Sequence, residues 1–139
     1  MITIGDKLPE ATLTESLEFG EACPLSPNPV HTVEAAKGKR IVVFGLPGAY
    51  TPTCSAKHVP GYVANLDALK ARGVEEVWCV SVNDGYVMAA WGRDQNAIGK
   101  IRMLGDGNAE LVKKLGLDRD LTKDGMGIRS RRFSLLVED

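Results

Sequence analysis

Cys54 lies in the segment whose residue types best suit covalent chemistry, PGAYTPTCSAKH at residues 47–58. An apolar stretch ends just before this segment, and a proline and a glycine then turn the chain. Thr51 and Pro52 are residues preferred at the N-cap and the first position of a helix, which would place Cys54 at the third helical position. The Thr51 hydroxyl would then accept a hydrogen bond from the Cys54 amide, and the sulfur would face unpaired backbone amides. This arrangement indicates a nucleophilic thiolate.

A nucleophilic cysteine needs its anion stabilised, because a thiol with a pKa of about 8.5 is only a few per cent ionised at neutral pH. Lowering that pKa to about 6 requires roughly 3.4 kcal/mol, at about 1.36 kcal/mol per unit. A helix N-terminus supplies ~0.3 to 1 kcal/mol and rarely ~2 kcal/mol. We therefore expect an arginine from elsewhere in the chain to contribute. Arg129, Arg131 and Arg132, near the start of the last predicted strand, are the candidates.

The other cysteines suit less reactive roles. Cys79, within WCVSV, is expected in the core, and Cys23, in the loop EACPLSP, is expected to be inert, with an exposed or resolving thiol as the alternative. His58 follows Cys54 by four residues and would share its helical face, which raises a catalytic pair or a metal site. A metal would need two further ligands, and the sequence has one other histidine, His31. We therefore favour a polar residue that lines the site, and we expect no metal.

The elements that must position these residues alternate between strands and helices. A strand is expected at 41–46, where the run is apolar throughout and therefore buried on both faces. Helical spacing predicts a helix over 52–72 with a kink at Pro60. Further strands are expected at 75–82, 100–104 and 132–137, and further helices at 84–95 and 108–115. This alternation predicts an α/β fold in which helices cover a sheet that contains parallel strands.

Length, charge and composition exclude several classes of function. With 139 residues the chain is the size of one domain. A net charge of -1 offers no basic surface for nucleic acid or an anionic membrane. The N-terminus carries no secretory signal pattern and no apolar run is long enough to span a bilayer, so we expect a cytoplasmic protein. Three widely spaced cysteines do not suit a disulfide framework.

The stretch PGAYTPTCSAKHVPGY, residues 47–62, closely resembles the active-site segment of peroxiredoxins, in particular the peroxiredoxin-five or plant type II subfamily. The subfamily pattern is a proline, three residues, a threonine, two residues and the reactive cysteine. WCVSVNDGYVMAAWGRDQ at 78–95 and the closing RRFSLLVED are also similar to that subfamily. The resemblance therefore covers nearly the whole chain from about Lys39.

This resemblance implies a thioredoxin-like fold, with a central mixed β-sheet flanked by helices, and an antioxidant enzyme that reduces hydrogen peroxide or alkyl hydroperoxides without a cofactor. By position in the motif, Cys54 would be the peroxidatic nucleophile and would be oxidised to a sulfenic acid. Thr51 would form a hydrogen bond at the peroxide site, and Pro47 would shield that site from water. Arg132 would stabilise the thiolate and the bound peroxide. His58 matches a histidine that is common near the site, and we expect it to contact the substrate.

The sequence departs from the subfamily at its C-terminal end. Members usually continue with a further strand and a terminal helix, whereas this sequence stops at Asp139. We expect residues 1–139 to form one thioredoxin-like domain that lacks this strand and helix, with a bare sheet edge unless a second chain of a homodimer covers it. The resolving cysteine of the animal members also falls in that region. The resemblance thus implies a one-cysteine enzyme whose external reductant is glutathione with glutaredoxin, or thioredoxin.

Two other functions would also use a reactive cysteine in this position. A peroxide-responsive redox sensor would use the same thiolate to relay oxidation to a partner protein, and the sequence alone does not separate the two. A thioredoxin-like disulfide reductase is disfavoured because Thr51 occupies the first position of what would be a CxxC motif, leaving TPTC.

Overall fold

The computed structural model describes residues 1–21, 23–52 and 57–138. Its strands are β1 (Thr12–Glu15), β2 (Phe19–Gly20), β3 (Cys23–Pro24), β4 (Asn28–His31), β5 (Arg40–Leu46), β6 (Glu76–Ser81), β7 (Arg102–Gly105), β8 (Asp118–Asp120), β9 (Ile128–Ser130) and β10 (Phe133–Glu138). Its helices are α1 (Thr32–Ala36), α2 (Val59–Ala64), α3 (Leu66–Ala71), α4 (Gly85–Asp94) and α5 (Glu110–Leu115). None of these helices has the length and apolar character needed to cross a membrane.

Six of the strands form one mixed sheet in the order β10-β5-β6-β7-β1-β4. The three central strands β5, β6 and β7 run parallel, β10 is antiparallel to β5, and β1 is antiparallel to both β7 and β4. The parallel strands therefore end at the same edge of the sheet, and β10 begins at that edge. This confirms the predicted thioredoxin-like α/β architecture.

Side chains that alternate along β5 and β6 build a core on each face of the sheet. Phe44, Leu46 and Cys79 point to the face covered by α2, α3 and α4, whereas Ile41 and Trp78 point to the face covered by α1 and α5. All of these side chains are fully buried. The apolar run at 41–46 is confirmed as a strand buried on both faces, which needs apolar residues at almost every position.

The predicted helix over 52–72 is divided in the structure. Residues 57–58 form a π-helical turn that runs into α2 just before Pro60, so the α-helical geometry changes at the place where the sequence predicts a kink. A second break, which the sequence did not predict, falls at Asn65, whose backbone leaves helical geometry between α2 and α3 and whose side-chain amide donates to the Gly61 carbonyl over 2.8 Å. Gly73 ends α3, as predicted, with a φ of 90°.

The start of β10 is fixed by the packing of an aromatic ring over a glycine. Phe133 pairs with Gly45 across the antiparallel β5–β10 ladder, and a Cβ added to Gly45 would lie 2.0 Å from Phe133 Cε1. The ring therefore occupies the space that a side chain at residue 45 would need. Arg132 directly precedes Phe133 in the chain, so this contact also determines where the arginine enters the edge of the sheet.

Replacing Gly45 with alanine is expected to destabilise the protein by about 1–3 kcal/mol, because the Phe133 ring must leave its position to admit the methyl group. Urea unfolding followed by circular dichroism measures this loss. Gly61 is the matched control, since a Cβ at that helical position meets nothing within 4 Å. Gly61→Ala should leave the unfolding free energy unchanged or raise it by up to about 1 kcal/mol. Equal stabilities for the two variants would contradict the packing argument.

Candidate active site

The loop that follows β5 is fastened to the β9 strand by an arginine. The Arg129 guanidinium donates to the Pro47 carbonyl over 3.2 Å, and its Nε donates to the Met126 carbonyl over 2.9 Å. A Cβ on the buried Gly48 would lie 2.6 Å from the same guanidinium, so a glycine is required for this close approach. The Thr51 hydroxyl donates to the Gly48 carbonyl over 2.8 Å. Because its one proton is used in this way, the Thr51 oxygen remains available as an acceptor.

Two further contacts tie the same loop to the end of β6 and to α4. The Ala49 amide donates to Asn83 Oδ1 over 3.0 Å. Tyr50 adopts a φ of 62°, a left-handed conformation that is unfavourable for a residue with a large side chain. Its hydroxyl donates to Asp94 over 2.7 Å, and partial burial together with this bond raises the pKa of Tyr50 to about 12. The phenol therefore stays protonated and keeps the loop attached to α4.

Arg132 meets His58 where the chain enters α2. Arg132 Nη1 lies 3.0 Å from His58 Nδ1. A guanidinium can only donate, so Nδ1 must be the unprotonated acceptor and the ring proton resides on Nε2. Burial of the ring lowers the pKa of His58, and the positive charge of Arg132 lowers it further. His58 is thus a neutral residue that holds the arginine side chain in one orientation.

Aromatic stacking holds His58 and the start of α2 against the sheet. The Phe44 and Tyr62 rings are parallel with centroids 3.9 Å apart, and the His58 ring lies 5.0 Å from Phe44. The Tyr62 hydroxyl donates to Ser134 Oγ in β10 over 2.9 Å. Strand β10 and helix α2 are therefore connected on both sides of the Arg132–His58 contact. A cleft of about 480 Å³ opens beside this contact, between the helices α2 and α3 and the start of β10.

The structure separates the three candidate arginines. Arg132 contacts His58 and Arg129 contacts the Pro47 carbonyl, so both side chains lie at the edge of the sheet where the parallel strands end. Arg131 and Arg132 are both exposed, and the Arg131 backbone amide donates to the Leu117 carbonyl over 2.8 Å. Reasoning from residue types left all three open, because the direction of each side chain depends on the register of β10 against β5.

The structure confirms the core position predicted for Cys79, whereas Cys23 lies in a strand and is exposed, as in the alternative reading, and its reactivity stays a prediction. Cys79 is fully buried in β6, and Cys23 is exposed in β3. Cys54 lies outside the described residues, as do the proposed hydrogen bond from its amide to Thr51 and its position on a helix. The predictions for Cys54 therefore rest on the sequence and on the described residues on either side of it in the chain. Within the described ranges, no three His, Cys, Asp or Glu side chains converge as metal ligands would.

His58 should titrate at an unusually low pH. We expect a pKa below about 6.5, and Arg132→Gln should raise it part of the way back, because burial persists when the charge is removed. Since the pKa of His58 is lower in the folded state than in the unfolded state, neutral His58 makes its full contribution to folding stability above about pH 6.5. This contribution is lost as the pH falls through the folded pKa. Histidine NMR titration measures the value, with His58→Gln to assign the signal. A pKa at or above the usual value would contradict the contact.

Comparison with known proteins places the chain in a family. The family model described as Redoxin matches residues 3–139. Peroxiredoxin-2B of Arabidopsis thaliana is 44% identical over 138 residues, which cover 99% of this chain and 82% of that protein. Peroxiredoxin-2C of rice is likewise 44% identical over 138 residues, with the same coverage of both chains.

Solved structures agree in fold. Reduced Prx3 of Vibrio vulnificus in complex with H2O2 is 43% identical with a TM-score of 0.87, and the match covers 99% of this chain and 82% of that one. A Burkholderia cenocepacia protein described as a candidate thioredoxin reductase is 52% identical with a TM-score of 0.93, at the same coverage. The 1-Cys peroxiredoxin of Plasmodium falciparum is 30% identical with a TM-score of 0.86, over 96% of this chain and 78% of that one. This chain belongs to the redoxin family and is a peroxiredoxin of the plant type II subfamily, a thiol peroxidase.

Proposed function

We propose that this peroxidase reduces hydrogen peroxide and alkyl hydroperoxides through a sulfenic acid on Cys54. The observation that carries the proposal is the convergence of two segments at one edge of the sheet. The loop that leads to Cys54 contains Pro47 and Thr51 and is held by several hydrogen bonds, while Arg132 arrives from β10 and contacts His58 at the entry to α2. A guanidinium and fixed donors near a cysteine are what peroxide cleavage requires.

The proposed reaction is a nucleophilic displacement on oxygen. The Cys54 thiolate attacks one oxygen of the peroxide, an S–O bond forms, and the O–O bond breaks. Its electron pair leaves on the second oxygen, which takes a proton and departs as water or an alcohol, and Cys54 keeps the first oxygen as a sulfenic acid. Arg132 stabilises the thiolate before attack and the negative charge on the departing oxygen during it.

The remaining site residues fit supporting roles in this reaction. The oxygen of Thr51 accepts from the peroxide hydroxyl, because its own proton is used by the Gly48 carbonyl. Pro47 covers the site and excludes water, with its carbonyl fixed by Arg129. His58 orients Arg132 and contacts the bound substrate from the cleft side.

We propose that an external thiol completes the cycle. A first thiol condenses with the sulfenic acid and releases water to form a mixed disulfide, and a second thiol displaces Cys54 and leaves an external disulfide. Glutathione with glutaredoxin, or thioredoxin, would supply these thiols. The complete burial of Cys79 supports an external source, and so does the likeness to a 1-Cys peroxiredoxin. We also infer a homodimer, supported by the position of β10 at an edge of the six-stranded sheet and by the exposed Leu136 on it, and sedimentation equilibrium would test it.

Intact-mass spectrometry after a brief exposure to one equivalent of hydrogen peroxide tests the proposed intermediate. We expect the mass of one added oxygen, located on Cys54 by peptide mapping and removed by glutathione. An intramolecular disulfide between Cys54 and either other cysteine would overturn the one-cysteine cycle. Extensive mixed disulfides with partner proteins, formed without peroxide turnover when small thiols are abundant, would favour the redox sensor instead.

A further inference from the structure

Asn83 connects the loop before Cys54 to the end of β6. Its Oδ1 accepts from the Ala49 amide over 3.0 Å and from the Ser81 hydroxyl over 2.7 Å. The Ala49 amide can only donate, so the side-chain oxygen of Asn83 must face the loop. The proposed reaction assigns no role to this residue.

The backbone around Asn83 is itself held rigidly. A Cβ on Gly105 would lie 2.7 Å from the Asn83 carbonyl oxygen, so β7 packs directly against this turn. The next residue, Asp84, caps α4 by accepting from the Val87 amide over 2.8 Å. Ser81 is fully buried and pairs with Leu46 across the parallel strands. Asn83 therefore has little freedom to move and can act as a fixed anchor for another segment.

Asn83 anchors the loop 47–51, whose backbone conformation is unfavourable without contacts from outside the loop. Ala49 lies between Pro47 and Thr51, and Tyr50 beside it has a left-handed φ of 62°. Such a conformation costs free energy and persists only where surrounding contacts impose it. We propose that Asn83 is a positioning residue, which fixes the loop so that Thr51 and Pro47 meet the peroxide in a reactive geometry. This inference rests on the proposed function of those two residues.

The test compares two reactions of the same thiol. Asn83→Ala should lower the second-order rate constant for hydrogen peroxide by about tenfold or more, because a misplaced loop disturbs the peroxide geometry. Alkylation by iodoacetamide does not use Thr51 or Pro47 and should change by less than about threefold. The ratio of the two rate constants is therefore the quantity to follow. Asn83→Asp keeps an acceptor for the Ala49 amide and should restore at least about a third of the wild-type ratio.

Asp84→Ala is the matched control, because it removes the α4 cap next to Asn83 and leaves the loop untouched. It should lower stability by ~1 kcal/mol and leave the rate ratio unchanged. If Asn83→Ala does not fold, Asn83→Ser replaces it, since the shorter side chain cannot reach the Ala49 amide. A wild-type ratio in the variant that folds, or an equal drop in Asp84→Ala, would overturn the inference. Failure of the wild-type protein to react with peroxide would instead overturn the proposed function.

Discussion

Replacing Cys54 with serine is expected to lower the rate of peroxide reduction by at least about a thousandfold, since the reaction needs a nucleophilic thiolate and a serine hydroxyl stays protonated. The assay follows the loss of hydrogen peroxide in the presence of glutathione and glutaredoxin, or of thioredoxin with its reductase. The variant should still fold, because the replacement changes one side-chain atom. Unfolding in urea checks that it does.

Cys23→Ser is the control for that experiment, because Cys23 is an exposed free thiol outside the motif. It should retain the wild-type rate with peroxide. Full activity in Cys54→Ser would refute the assignment of the nucleophile. Loss of activity in Cys23→Ser alone would show that the exposed β3 cysteine takes part in the cycle, contrary to the one-cysteine scheme.

Replacing Arg132 with glutamine is expected to lower the peroxide rate constant by about a hundredfold, or ~2.7 kcal/mol in the activation free energy. Two losses add up in this variant. The thiolate loses a positive charge that the N-terminus of one helix cannot replace, and the departing oxygen loses a charged hydrogen-bond donor. Stopped-flow measurement of the reaction of reduced protein with peroxide, over a range of pH, separates these two losses.

Arg131→Gln removes the same charge from the neighbouring position, which is exposed like Arg132, and should change the rate constant by less than about twofold. Arg132→Lys should recover a small part of the activity, because lysine keeps the charge but loses the planar fork of donors. Similar losses at positions 131 and 132 would mean that net charge matters and that the contact with His58 does not.

The central elements of the fold were predictable from the sequence because each carries a strong local signal. Strand β5 is apolar at almost every position, and α4 begins after the capping Asp84 and has Met88 and Trp91 on its buried side. These signals also placed the loop before Cys54 correctly after a buried strand. The sequence therefore identifies one segment as the candidate site, and the structure places the start of that segment at the end of β5.

The parts that escaped prediction depend on contacts between distant residues. Strands β8 and β9 have the sequences DRD and IRS, which lack apolar alternation, and they pair with each other through a register that no local pattern encodes. The roles of Arg129 and Asn83 arise from hydrogen bonds to Pro47 and Ala49, which lie 82 and 34 residues away in the chain. The motif SVND was visible as part of the family resemblance, but the backbone amide from which Asn83 Oδ1 accepts, that of Ala49, was not.

The proposed activation of Cys54 is tested most directly by the pH dependence of its alkylation rate. The measurement is made on the reduced wild-type protein and, for comparison, on Arg132→Gln. We expect the wild-type thiol to be half-ionised well below the value of about 8.5 for free cysteine, and the variant to shift towards that value. A wild-type profile no different from that of free cysteine would contradict the claim that a helix end and a guanidinium prepare this sulfur for attack.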